Sequence, residues 1–102
     1  MLVDSHCHLD FDVFEDDRED MIARAAKAGV GTLVTICTHL SRFDVVRAIA
    51  ASHENIWCSV GIHPHQVVDE GIAPAERLIN FAADPLVVGI GETGLDYYYD
   101  NS

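Results

Sequence analysis

The sequence predicts an α/β fold in which four parallel strands alternate with three helices, the pattern of one half of a (β/α) barrel. Short apolar runs recur at Leu2-Val3, Thr32 to Cys37, Ile56 to Ile62 and Leu86 to Ile90. The last three are rich in β-branched residues and lack polar alternation, as strands buried on both faces do. Between them lie segments with helical spacing, so the order reads β-α-β-α-β-α-β. Such alternation with short connections imposes right-handed crossovers and a parallel sheet, either doubly wound or closed as a barrel. A closed barrel of eight units takes about 250 residues. A chain of 102 residues therefore matches half of one, and the expected unit is a single partial domain over 1–102 that stops, on its C-terminal side, before the barrel closes.

The elements follow in order. After the first strand, the acidic run from Asp10 to Asp20 places Asp16, Asp17, Glu19 and Asp20 at the start of a helix, where they complement its positive end. Met21, Ile22, Ala25 and Ala28 form the apolar stripe of that helix, and Gly29 ends it. Ser41 is the expected N-cap of the second helix, whose stripe is Val46, Ile49, Ala50 and His53. Pro74 suits the opening turn of the third, with Ala75, Leu78, Ile79 and Ala82 as its stripe and Asp84-Pro85 as its stop.

Composition narrows the class. With 49% hydrophobic and 23% charged residues the chain has the balance of a soluble globular protein. No apolar run approaches the roughly 18 to 20 residues of a membrane span, so no membrane partner and a cytoplasmic location are expected. Cys7, Cys37 and Cys58 are odd in number, far apart and set in apolar segments, which reads as reduced, packed thiols. A formal net charge of -11 argues against nucleic-acid binding through a broad basic patch. Any phosphate substrate then needs another cation, and a bound divalent metal would supply it.

Functional side chains of α/β proteins collect at the carboxyl ends of the strands. Five of the six histidines lie there: His6 and His8 after the first strand, His39 after the second, His63 and His65 after the third. In the extended His6-x-His8 pair both rings point to one face and Cys7 to the other, so two imidazoles can meet one ion; the same residues can also serve as hydrogen-bonded filling of a barrel. Asp4 shares that face and can orient a ligand histidine. Glu92 ends the run Leu86 to Gly91, where a carboxylate needs a metal, a hydrogen bond or an ion pair, and few Arg or Lys stand near it in the sequence. His63, held by Pro64, suits phosphate binding or proton transfer, with Asp96 in a supporting role. Tyr97 to Tyr99 offer faces for a nucleobase or for packing of their own loop.

Taken together, Val3-Asp4-Ser5-His6-Cys7-His8-Leu9-Asp10, Gly61-Ile62-His63-Pro64-His65 and Gly89-Ile90-Gly91-Glu92-Thr93-Gly94-Leu95-Asp96-Tyr97-Tyr98 resemble the TatD family of metal-dependent deoxyribonucleases. The resemblance runs through the whole chain. It implies a TIM-type barrel with two divalent ions (Mg, Mn or Zn), His6 and His8 binding one and Glu92 bridging both, with His63 near the substrate. It further implies hydrolysis of DNA phosphodiester bonds by metal-activated water. The family completes its site with two histidines and an aspartate on later strands, which no residue of this sequence matches. The expectation is therefore a function for a complete protein, with these 102 residues inactive alone and prone to self-association through unpaired sheet edges. Two alternatives stay open from the residues: another amidohydrolase-like or phosphoesterase barrel enzyme, and a non-catalytic metal-binding or interaction fragment.

Overall fold

The computed structural model describes residues 1–99; residues 100–102, the end of the expected domain, lie outside the described residues. Strands β1 (Leu2–Cys7), β2 (Val30–Thr35), β3 (Ile56–Val60) and β4 (Val87–Ile90) form one parallel sheet in the order β1-β2-β3-β4. Strands laid down in chain order are those of a barrel wall, whereas a doubly wound sheet reverses its order at a switch point. The chain is thus part of a TIM-type barrel. The three expected helices are α1 (Arg18–Lys27), α2 (Phe43–Ala51) and α4 (Ala75–Ala82), joined by a single-turn α3 (Val67–Glu70) that no apolar stripe announced.

The core lies between the sheet and its helices. Leu33 of β2 and Ile56, Cys58 and Val60 of β3 meet Val46, Ile49 and Ala50 of α2, all buried. Burial of side chains such as Ile56 and Val46 contributes about 1.5–3 kcal/mol each. The rings of Phe43 and Phe81, 4.7 Å apart, tie α2 to α4. By strand alternation Ser59, between Cys58 and Val60, points to the opposite face of the sheet. None of the helices among the described residues is long and apolar enough to cross a membrane.

Helix ends obey local chemistry. The first turn of α1 carries Glu19 and Asp20 and its last turn Arg24 and Lys27, each sign matching the helix dipole. Gly29 follows with φ +96, a left-handed conformation that glycine adopts without steric cost. Ser41 is not the cap of α2. It sits in a short 3-10 turn (Leu40–Arg42), Arg42 is the cap residue, and the Ser41 amide and hydroxyl both donate to Glu70 Oε1, at 2.8 and 2.9 Å. A carboxylate on α3 outcompetes the helix terminus for that hydroxyl.

Candidate metal centre

Two strand ends converge. β1 delivers His6 in its last turn of chain and His8 just beyond it, with the ladder to β2 shifting register between Asp4 and Cys7. β4 ends at Ile90, two residues before Glu92. Glu92 Oε2 lies 3.5 Å from His6 Nε2 and 3.4 Å from His8 Nε2, while Oε1 lies 3.4 Å from His63 Nε2. The rings of His6 and His8 meet edge to face at 5.1 Å. Both therefore stand on the side of the sheet where the Glu92 carboxylate emerges. Cys7 turns away, its thiol donating to the Val34 carbonyl. Asp4 accepts the His6 backbone N–H at 3.1 Å and so steadies the strand end through its backbone.

Hydrogen bonds fix two of the imidazole tautomers. His8 Nδ1 faces the Ile36 carbonyl at 3.3 Å, so that nitrogen carries the proton and the Nε2 lone pair is free for a cation. His63 is the reverse. Its Nδ1 accepts the His65 backbone N–H at 3.0 Å, so the proton sits on Nε2 and is presented to Glu92. His63 is a donor in this arrangement, and His8 keeps a free Nε2 lone pair.

The donor set fits a divalent ion. His6, His8 and Glu92 place one ligand atom each within 4.8 Å of the others. Metal bonds of about 2.1 Å set the corners of a tetrahedron about 3.4 Å apart, and the two nitrogen-to-oxygen separations are 3.4 and 3.5 Å. Direct charge-assisted hydrogen bonds would draw to roughly 2.7–2.9 Å.

Ser59, Cys37 and Gly61, to none of which the sequence assigned a site role, hold Glu92 in place. The Ser59 hydroxyl donates to the Gly91 carbonyl at 2.6 Å and accepts the Cys37 N–H at 3.2 Å, clasping the ends of β2 and β4 across β3. The Glu92 N–H reaches the Cys37 carbonyl at 2.9 Å. Gly61 permits this approach, because a Cβ there would stand 2.4 Å from the Glu92 carbonyl oxygen and 2.8 Å from the Gly91 carbonyl carbon. The Thr35 hydroxyl accepts the Leu9 N–H at 3.1 Å and fixes the segment after His8. The available sequence signal for Ser59 was a hydroxyl inside an apolar strand, which must find a partner.

Asp96 stands apart from the Glu92 cluster. It is buried, its Oδ1 accepts the backbone N–H groups of Tyr98 and Tyr99, and its Oδ2 lies 3.9 Å from His65 Nε2. His65 in turn packs edge-on against His63 at 4.6 Å and Tyr99 at 5.0 Å. Tyr97 and Tyr98 are exposed. His39 contacts the Thr38 hydroxyl at 2.9 Å, outside the cluster. The cysteines are free thiols. Burial, reinforced by Asp4, pushes Cys7 up to about 12, and burial pushes Cys58 up to about 11.

Comparison with known proteins agrees with this geometry. The chain matches the TatD related DNase family over residues 3–102. It is 34% identical over 101 residues to the uncharacterized metal-dependent hydrolase YjjV of Escherichia coli K12, covering 97% of this chain and 39% of that protein. It is 39% identical over 84 residues to the 3'-5' ssDNA/RNA exonuclease TatD of Shigella flexneri, covering 82% and 32% respectively. The crystal structure of YjjV, a TatD homologue from Escherichia coli K12, superposes with a TM-score of 0.80 at 32% identity, covering 95% of this chain and 38% of that one. The chain thus spans 32% to 39% of the length of these relatives. A carboxylate between paired histidines at the mouth of a parallel barrel wall, together with a family match that runs from residue 3 to residue 102, identifies the chain as a member of the TatD family.

Proposed function

We propose that residues 1–102 are the opening, partial domain of a divalent-metal-dependent phosphodiesterase that hydrolyses DNA, acting in the cytoplasm and inactive without the rest of its barrel. One observation carries the reading: the Glu92 carboxylate stands 3.4 and 3.5 Å from the Nε2 atoms of His8 and His6, the spacing of ligands around a shared cation. His6, His8 and Glu92 would hold that cation. The other Glu92 oxygen lies toward the Nε2–H of His63, which would steady the carboxylate, and a second divalent ion would need further ligands from the rest of the barrel.

When bound, a divalent ion supplies Lewis acidity toward a phosphoryl oxygen and lowers the pKa of a water that attacks phosphorus. The protein's own groups do the rest. His8 keeps its Nε2 lone pair directed inward because Ile36 holds its Nδ1 proton. His63, with its proton fixed on Nε2, donates a hydrogen bond to a phosphodiester oxygen entering beside Glu92. Asp96 acts as a positioning group, holding the loop that carries Tyr98 and Tyr99 and facing His65 behind His63. Nucleic acid is the substrate class favoured by the 3'-5' ssDNA/RNA exonuclease name of a relative.

The test is His6→Ala in the complete protein, titrated with Mn²⁺ and assayed on single-stranded DNA. Metal affinity is expected to fall at least about tenfold, with loss of most metal-dependent turnover. Undiminished Mn²⁺-dependent cleavage would overturn the reading.

A further inference from the structure

Beside the metal centre a cavity of about 320 Å³ opens between the segments that follow β1 and β2, lined by Asp10, Phe11, Asp12, Thr38, His39 and Arg42. Its volume falls within the range of about 300–1,000 Å³ of small-ligand sites. The Phe11 ring lies flat on His8, centroids 4.6 Å apart and planes 13° from parallel, yet the residue is 41% exposed. One face of that ring serves a metal-centre histidine.

The lining is mainly apolar, with Val13 beside Phe11, and carries a few placed polar groups. Asp10 is 2% exposed, and its Oδ2 pairs with the Arg42 guanidinium. Its Oδ1 is buried with no hydrogen-bond partner among the described residues. Arg42 also donates to the Asp10 carbonyl at 3.0 Å and stands 4.0 Å from Asp12, so the one guanidinium is shared between two carboxylates. Such a lining repels a phosphate and accepts a flat, neutral ring bearing N–H groups.

We propose that this cavity is a nucleobase subsite, in which a base of the strand held at the metal centre stacks on the exposed part of Phe11 and turns its N–H groups toward the exposed carboxylate of Asp12. The proposal rests on the phosphodiesterase reading and adds its selectivity. It also places base recognition on a chain of net charge -11, since stacking needs no net positive charge.

The experiment measures, on the complete protein with Mn²⁺, the affinity for a hydrolysis-resistant phosphorothioate oligothymidylate and for an abasic strand of equal length, by fluorescence anisotropy. With Mn²⁺ held at saturation for each variant, Phe11→Ala is expected to weaken the thymidylate strand about tenfold more than the abasic strand, and Phe11→Tyr is expected to restore the difference. Equal loss on both strands would show Phe11 merely supporting His8 and overturn the subsite. Parent protein that binds both strands equally overturns the subsite alone. Parent protein that binds neither strand overturns the DNA phosphodiesterase reading with it.

Discussion

The position of single protons decides what each histidine at the centre does. A carbonyl behind His8 and an amide behind His63 give two rings of identical chemistry opposite faces toward one carboxylate, a lone pair and an N–H, at equal distances of 3.4 Å. Glu92 is the carboxylate of that set, so Glu92→Gln should leave the fold intact and lower Mn²⁺ affinity at least about tenfold, read by calorimetric titration. Full affinity in that variant would mean that the imidazoles alone hold the ion. The thiols make a second prediction at this scale. With Cys7 pushed up to about 12 and Cys58 to about 11, and Cys37 and Cys58 fully buried, none presents a reactive thiolate at neutral pH. A disulfide reagent such as dithiobis-nitrobenzoate is expected to label them only on unfolding. Rapid labelling of native protein at pH 7 would contradict the packing described for β1 and β3.

Elements carry the site because strand ends are held together by contacts remote in sequence. Ser59→Ala would strand the Cys37 N–H and the Gly91 carbonyl, at a cost of about 1–3 kcal/mol, and Gly61→Ala would force the backbone of Gly91 and Glu92 aside. Both variants are expected to lower Mn²⁺ affinity without touching a ligand, and normal affinity in Gly61→Ala would show that β3 does not set the position of Glu92. The strands were legible in the sequence as apolar runs, and the meeting of His6, His8 and Glu92 followed from their place at strand ends. The extent of β1 was less so, because an exposed strand bearing Asp4, Ser5 and His6 shows no apolar run beyond Leu2-Val3. The Ser59 clasp and the Gly61 approach depend on which backbone passes nearby, which one-dimensional spacing does not encode. The same holds for Ser41, whose hydroxyl is taken by Glu70 from 29 residues away. That link has a pH signature. The Ser41 backbone N–H, then its hydroxyl, hold the Glu70 carboxyl below the usual glutamate range. A depressed folded pKa contributes stability that is present above the ordinary glutamate value and is lost as pH falls through the folded one. The difference in melting temperature between parent and Glu70→Ala should therefore be open at pH 6 and close below about pH 4; a difference independent of pH would assign Glu70 no ionised role.

At the scale of the whole chain, two forces oppose each other. β1 and β4 are the edges of the described sheet, and Leu2, Val3, Val88 and Ile90 on them are between 50% and 64% exposed. Unpaired edges with exposed β-branched residues recruit further strands, so contact between copies is favoured. Against this stands a net charge of -11 on a particle of 39 × 29 × 24 Å. Charge repulsion acts over about 30 Å at 0.01 M salt, the dimension of the molecule, but over only about 3 Å at 1 M, whereas apolar contact is not screened. Self-association of the 102-residue chain should therefore rise with salt, the reverse of an assembly held by ion pairs. Sedimentation velocity at 0.01 M and 1 M sodium chloride is expected to show a mass that climbs between the two, and Val88→Lys on the β4 edge should suppress the climb. A chain that stays monomeric at both concentrations and unfolds in one cooperative transition would mean that four strands and their helices form a self-sufficient unit, with edges that need no partner.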